Sequence, residues 1–347
     1  MCCIMLASTS MGDEEKGRSK AGKSYVSVVI PTRNRPELVV RAVMSALAQD
    51  FGSVEVIVVV DGEDRETSEA LRGICDARVR VIELAACVGG AEARNIGVRA
   101  AHGEWVGFLD DDDEWLPHKL SRQITAARRS HAAWPVVSSR MIVRTDKREV
   151  VRPLRRYEAK RPVSEYLFCR KSFGDGPYAL QTSTLMMQKE LMLTVPFRKG
   201  LKRHQDWDWV LRAERVAGVE FSVIEEPLAI YCEEDGRKRV GRSEDWMFSM
   251  AWGREMRGYF SGKAYSWFLA TECMTRAVKS RAGLRVYAEI LRRFVVEGEA
   301  SPGSAAMMVA FLGLPQGMRE RVHGFTKGMR GSEARVTVEM EFRNAGQ

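Results

Sequence analysis

Glu104-Trp-Val-Gly-Phe-Leu109 runs straight into Asp110-Asp-Asp-Asp113. The first part is apolar and aromatic enough to read as a buried strand. The second is four adjacent carboxylates, which repel one another unless something cationic sits among them. The pattern repeats upstream. Tyr25-Val-Ser-Val-Val-Ile30 is a β-branched run closed by Pro31, and Val54-Glu-Val-Ile-Val-Val-Val60 is a second strand that ends at Asp61-Gly62. Val79-Arg-Val-Ile82 is a third. Between them lie helical stretches starting at Pro36 and near residue 65, and one opened by Gly89-Gly90. Strand and helix in alternation argue a parallel α/β sheet with right-handed crossovers. Ligands bind such sheets beyond the carboxyl ends of the strands, so Pro31–Arg35, Asp61–Asp64 and Asp110–Asp113 are expected to share one rim.

Composition agrees with a globular chain. Of 347 residues, 45% are hydrophobic and 29% charged, and 54 Lys+Arg against 46 Asp+Glu give a net charge of +8. That excludes collagen-like, coiled-coil and wholly disordered readings. The seven cysteines are scattered and form no C-x-x-C, so a disulfide framework or zinc knuckle is not expected and a reducing cytoplasm is. No run approaches the roughly 18 apolar residues that span a bilayer. The longest candidate, Ala305 to Leu314, reads as a packed or surface-lying helix, and Met1 to Ala7 makes a poor signal peptide.

Further along, a helix is expected from Pro117 to about Ser130 and a strand over Val136 to Val143. The basic stretch 144–171 reads as loop-rich, Gln181 to Met187 as strand-like, His204 to Val216 as a helix, and Val219 to Ile224 and Leu228 to Tyr231 as two short strands. From about 244 to 329 the pattern is helical only. The expected organisation is a leader over 1–24, an α/β domain over 25–235, a helical region over 236–330 and a tail over 331–347.

Two motif matches mislead. Gly17 to Ser24 fits the P-loop pattern G-x-x-x-x-G-K-[ST], but a polar segment precedes it and a strand follows, the reverse of what phosphate binding at a helix N-terminus requires. Gly174 to Ala179 fits G-x-G-x-x-[GA], but Pro177 and a polar approach argue against a dinucleotide site. The acidic run is the stronger signal. Hard oxygen ligands at a strand end suit Mg²⁺ or Mn²⁺ bridging carboxylates and substrate phosphates; the alternative is a solvated turn before the next helix.

Five blocks in order resemble glycosyltransferase family 2: Val28-Val-Ile-Pro-Thr-Arg-Asn34, Val58-Val-Val-Asp61-Gly62, Gly90-Ala-Glu-Ala-Arg94-Asn95-Ile-Gly97, Phe108-Leu-Asp-Asp-Asp-Asp-Glu-Trp115 and His204-Gln-Asp206-Trp-Asp208-Trp, the last followed by Glu226-Pro-Leu. The resemblance spans residues 25–232 and implies a GT-A fold, Rossmann-like, with a mixed, mostly parallel sheet flanked by helices and a helical C-terminal appendage. It also implies a nucleotide-diphosphate sugar donor (a UDP-sugar being the expected one), Mn²⁺ or Mg²⁺, and inversion at the anomeric carbon. By position in the motifs, Pro31, Thr32 and Arg33 would line the nucleotide pocket, Asp61 would meet the base and Arg94 would sit beside the donor. Asp112 would ligate the metal, Asp110 would lie near the ribose or sugar, Asp111 takes the variable middle position, and Asp113 would orient the cluster. Asp206 matches the catalytic base, with Asp208 the alternative if the register slips by two. The family commonly has Glu-Asp before the base-bearing helix where this chain has Gln205-Asp206.

Physical chemistry agrees with those roles. A departing diphosphate carries charge that a metal stabilises, and an attacking hydroxyl must lose its proton to a positioned base. Asp206, flanked by Trp207 and Trp209, is expected to be partly desolvated and so more basic than a free carboxylate; as an acid near a helix start it could equally serve the macrodipole alone. The processive Gln-x-x-Arg-Trp motif is missing, since Gln316-Gly-Met-Arg319 is followed by Glu, so transfer of a single sugar is expected. Basic clusters at 144–171, 198–203 and 237–242 suit donor phosphates, or a lipid-linked acceptor at an anionic membrane with the protein peripheral at its inner face. A saccharide acceptor is the other expectation, and nucleic acid is not one. The rival readings are a nucleotidyltransferase and an inactive sugar-nucleotide- or glycan-binding protein.

Overall fold

The computed structural model describes residues 25–170, 179–233 and 245–313. The leader, the P-loop match, most of Gly174–Ala179, the 237–242 cluster, Gln316–Arg319 and the 331–347 tail lie outside them.

The first half follows the expected alternation: β1 (Val26–Thr32), α1 (Pro36–Leu47), β2 (Val54–Val60), α2 (Arg65–Arg72), β3 (Val79–Glu83), α3 (Gly90–Ala100) and β4 (Trp105–Phe108). Pro36 opens α1, where its missing N–H costs nothing. β3, β2, β1 and β4 lie side by side and parallel. Every residue of β1 and β2 is buried, as in a sheet covered on both faces. Alternate residues feed two cores. Val28, Ile30, Val56 and Val58 pack with Val39 and Val43 of α1, while Val29, Ile57 and Val59 pack with Ala91, Ala93 and Val98 of α3. Gly97 permits this second contact: a Cβ there would lie 2.3 Å from Val29 Cγ1.

After β4 come β5 (Glu114–Trp115), α4 (Lys119–Arg129), β6 (Trp134–Thr145), β7 (Arg148–Arg152), α5 (Val163–Phe168), β8 (Met186–Gln188), α6 (Lys189–Thr194), α7 (Gln205–Ala213) and β9 (Val219–Glu233). β8 joins β4 antiparallel, and the sheet continues β8-β6-β9-β5, with β7 paired to β6. It is mixed and mostly parallel, as expected. Three local expectations need correction. The basic stretch contains a strand and a helix, because Val150 and Val151 pair with Val143 and Ile142 of β6. Residues 182–184 form a 3₁₀ turn, capped where Ser183 N–H donates to the Gln181 side chain, and only Met186–Gln188 is strand. The two short strands are one, β9; Glu225, Glu226 and Pro227 do not end it, because its pairing with β6 absorbs a bulge around Arg140.

The C-terminal region holds α8 (Trp246–Glu255), α9 (Gly262–Phe268), α10 (Thr275–Lys279), α11 (Leu284–Val296) and α12 (Pro302–Gly313), with a π-helical segment, Leu269–Met274, joining α9 to α10. These helices share a core with the α/β half. Phe168 of α5 meets Trp207 of α7, Phe260 and Phe268 with ring centroids 4.9, 4.9 and 5.5 Å apart. No helix among the described residues is long and apolar enough to cross a membrane. The five described cysteines, Cys75, Cys87, Cys169, Cys232 and Cys273, are all free thiols.

Candidate active site

Beyond the carboxyl ends of β1, β2 and β4 lies a cleft of about 510 Å³. Nine of the residues singled out from the sequence line it, Pro31, Thr32, Arg33, Asp61, Arg94, Asp110, Asp111, Asp112 and Asp206, whereas Asp113 and Asp208 do not. Arg35, from the expected rim, and Arg203, from the 198–203 basic cluster, line it too, as do Gln181, Thr182, Glu272 and Arg276, which sequence reasoning missed.

The four carboxylates of the acidic turn point in different directions, and each has partners. Asp110 meets the Arg94 guanidinium, and its backbone N–H donates to Ser183 Oγ at 3.0 Å. Asp111 accepts from Thr32 Oγ1 at 2.9 Å and from Arg35 at 2.7 Å. Burial pushes its carboxyl up to about 6, against the pull of Arg35 and with the push of Asp112. Asp112 lies 3.2 Å from the same Arg35 nitrogen. Asp113 is fully buried and accepts from Ser183 Oγ at 2.7 Å, Gln181 at 3.2 Å and the Cys232 N–H at 3.3 Å. It therefore fastens the turn to the 3₁₀ segment and β9 instead of facing the cleft.

Below the turn, Trp115 lies across Gly107, where a Cβ would come within 2.8 Å of the indole, and its Nε1–H donates to Ser183 O at 2.7 Å. Lys119 Nζ sits 3.9 Å from the centre of an indole ring of Trp115 and donates to Gln123 Oε1 at 2.6 Å. Complete burial holds that amine well below its usual range.

Asp61 carries a second duty. Its two oxygens accept the N–H groups of Val88 and Gly89 at 2.6 and 2.9 Å, so it fixes the loop that leads into α3. Asn95, one turn along α3, exchanges hydrogen bonds with the backbone N–H and C=O of Phe197, both at 2.9 Å. That pair ties α3 to the segment entering α7. Arg94 bridges the same two parts of the chain: one nitrogen meets Asp110, the other donates to Gln205 Oε1 at 2.9 Å. Gly90 leaves room for it, since a Cβ there would lie 3.3 Å from Arg94 Nη1. Gln205 in turn donates to Leu201 O at 2.6 Å. As a neutral side chain it serves as acceptor and donor at once, and its divergence from the usual Glu was the one signal in the sequence that pointed to it.

His204, which precedes α7, has a left-handed backbone with φ of 62°, an uncommon state for a residue with a side chain. Its ring stacks on Trp207 with centroids 4.7 Å apart, and Nε2 lies 3.0 Å from Ser249 Oγ. Burial, aided by the charges of Arg276 and Arg203, holds the imidazole well below its usual range, so it is neutral. Asp206 follows. Its described hydrogen bonds come from backbone N–H groups, that of the adjacent Trp207 at 2.9 Å and its own. Burial pushes its carboxyl up to about 6, against those N–H groups and with the Asp110 charge adding to the rise. Asp208 is different in kind: fully buried, it meets Arg198 at 2.7 Å, Arg212 at 2.8 Å and the Trp252 indole N–H at 3.1 Å.

Among the described residues no three His, Cys, Asp or Glu side chains converge as a complete metal cage. Asp110 and Asp112 offer hard carboxylate oxygens toward the cleft.

The order of these elements is matched outside the molecule. Residues 27–188 fit the model of Glycosyl transferase family 2. The chain carries a glycosyltransferase family 2 domain. Over 256 residues the chain is 29% identical to the amylovoran biosynthesis glycosyltransferase AmsB of Erwinia amylovora, covering 69% of this chain and 82% of that one. Shorter matches join it to the succinoglycan biosynthesis protein ExoO of Rhizobium meliloti, at 42% identity over 29% of each chain. Another is WfaP of Escherichia coli, named a UDP-Glc:alpha-D-GlcNAc-diphosphoundecaprenol beta-1,3-glucosyltransferase, at 35% identity over 28% of this chain and 39% of that one. In those two the match spans well under half of the relative. The S. aureus TarS 1–349 fragment, solved with UDP-GlcNAc, has the same fold: TM-score 0.56 at 18% identity, over 82% of this chain and 84% of that one. The fold is therefore GT-A.

Proposed function

We propose that this glycosyltransferase moves one sugar from a nucleotide-diphosphate donor, a UDP-sugar by preference, to a saccharide or lipid-linked acceptor, with inversion and with Asp206 as general base. The observation that carries the reading is the pairing of one well-partnered acidic turn with one sparsely bonded, raised carboxylate across Arg94. A base with a pKa of about 6 is mostly ionised at pH 7 and still holds a proton better than an exposed Asp. In the reaction the acceptor hydroxyl gives its proton to Asp206, the acceptor oxygen bonds to the anomeric carbon, and the bond to the donor phosphate breaks with its electron pair leaving on the diphosphate. Arg94 holds Asp110 and Gln205, so the donor side and the base keep one spacing. Thr32, Arg33 and Pro31 would border the nucleotide, and Asp61 would meet its base while holding the 88–89 loop.

Mg²⁺ and Mn²⁺ commonly take one or two carboxylates and complete their shell with substrate phosphates and water, so Asp110 and Asp112 are a fitting donor set. When bound, the metal would supply Lewis-acid stabilisation of the leaving diphosphate. Work in polysaccharide assembly is supported by the names of AmsB and ExoO, and a lipid-diphosphate acceptor by that of WfaP. Such an acceptor would bring the enzyme to the inner face of the cell membrane.

The test is a thermal-shift panel of UDP, GDP, dTDP, CDP and ADP, each with and without Mn²⁺. One nucleotide, UDP on this reading, raises the melting temperature by mass action, more with metal than without. Folded protein that responds to none of them would remove the donor assignment.

A further inference from the structure

Arg276 and Glu272 come from the C-terminal helices, yet both line the cleft that holds Asp206. They reach it from a break in helical geometry. Between α9 and α10 the chain takes six residues of π-helix, Leu269–Met274, a rare conformation that recurs at functional sites because it re-aims side chains at some cost in stability. Arg276 is gripped by Glu272 through Nε at 3.2 Å and Nη2 at 2.9 Å, which fixes the direction of its fork. Facing it is the buried Arg203, whose Nη1 lies 3.5 Å from Ser249 Oγ. The two guanidinium groups are close enough for their charges to oppose: burial first, then Arg276, lowers the affinity of Arg203 for its proton.

Two guanidinium groups that line one cleft and oppose each other's charge suit an anion between them. Arg203 and His204 both reach Ser249, the His204 ring feels the charges of Arg276 and Arg203, and Asp206 stands two residues further on in the first turn of α7. The cation pair therefore lies beside the base-bearing turn of α7, whereas the rim assigned to the nucleotide is built by the ends of β1 and β2. We infer that Arg203 and Arg276 form an anion subsite for a phosphate-bearing group of the acceptor. This rests on the glycosyl-transfer reading for the word acceptor, but the anion site itself does not. The shared chemistry is a phosphate or diphosphate, carried by a lipid or by a saccharide.

The experiment is calorimetric titration of the full chain, first with the nucleoside diphosphate that binds tightest, then with inorganic pyrophosphate or geranyl diphosphate added to the nucleotide-saturated protein. The wild type binds the second anion while nucleotide is bound. Arg276→Gln weakens it by about tenfold or more, with nucleotide affinity kept within about twofold. Arg276→Lys, which retains the charge but not the fork, falls between them and guards against a folding defect in the first variant. Tighter capture of geranyl diphosphate than of pyrophosphate assigns the group to a lipid carrier, and equal capture to a free or saccharide phosphate. Mutual exclusion of pyrophosphate and nucleotide, or equal pyrophosphate affinity in wild type and Arg276→Gln, overturns the subsite. Pyrophosphate binding that depends on Arg276 in a protein that takes no nucleotide would leave the subsite standing and remove the donor reading alone.

Discussion

The acidic turn after β4 and the first turn of α7 both bring carboxylates to the cleft region, and they are built in opposite ways. In the acidic turn, Asp110, Asp111 and Asp112 are matched by Arg94 and Arg35, and Asp113 is buried among Ser183, Gln181 and the Cys232 N–H. Charge density there is high and is balanced mainly by cations from α3 and the loop before α1. In α7 the contrast is repeated over two residues. Asp208 is locked between Arg198, Arg212 and Trp252, whereas the described hydrogen bonds of Asp206 come from backbone N–H groups, its neighbour's and its own. Well-satisfied carboxylates hold a structure together, and a sparsely satisfied one in a cleft is available for chemistry.

The largest effect that would break this contrast is at Asp208. Asp208→Ala leaves Arg198 and Arg212 without their buried counter-charge and is expected to cost roughly 3–5 kcal/mol of stability. Chemical denaturation measures it, and a change within error would mean that Asp208 is no more structural than Asp206. The opposite sign is expected at Asp206. Its folded pKa is raised from 3.8 to about 6, so the stability it contributes is full below pH 3.8 and is lost as pH rises through about 6. At pH 8 the ionised carboxylate costs the fold roughly 1–3 kcal/mol. Asp206→Asn should therefore melt higher than wild type at pH 8, with the gap closing toward pH 4. A variant that melts lower at pH 8 would make Asp206 a structural residue.

Much of the first region was legible in the sequence because its signals are local. β1, β2 and β4 are short apolar runs closed by Pro31, Asp61 and the acidic turn, and α3 opens at adjacent glycines. The second region depends on contacts that sequence spacing hides. Arg94 reaches Gln205 across 111 positions, and Asn95 reaches Phe197 across 102. Glu272 and Arg276, read alone, are an ordinary i,i+4 pair on a helix, and only the packing of Phe168, Trp207, Phe260 and Phe268 turns that helix toward the cleft. Glu225-Glu226-Pro227 reads as a turn in the sequence, yet β9 runs through it because its extra residues bulge opposite Arg140 of β6. Gln181 likewise gave no signal: its side chain caps the 3₁₀ turn and touches Asp110 and Asp113.

The central claim is that Asp206 takes the proton. It is tested most directly by the pH dependence of kcat for wild type and Asp206→Asn, measured with saturating donor and metal. In the wild type, kcat should fall about tenfold per pH unit below an inflection near 6, and Asp206→Asn should be roughly 10²–10⁴ slower with a residual rate flat over that range. An inflection near 6 that survives in Asp206→Asn would contradict the claim and would point to Asp111, the other carboxyl that burial raises to about 6.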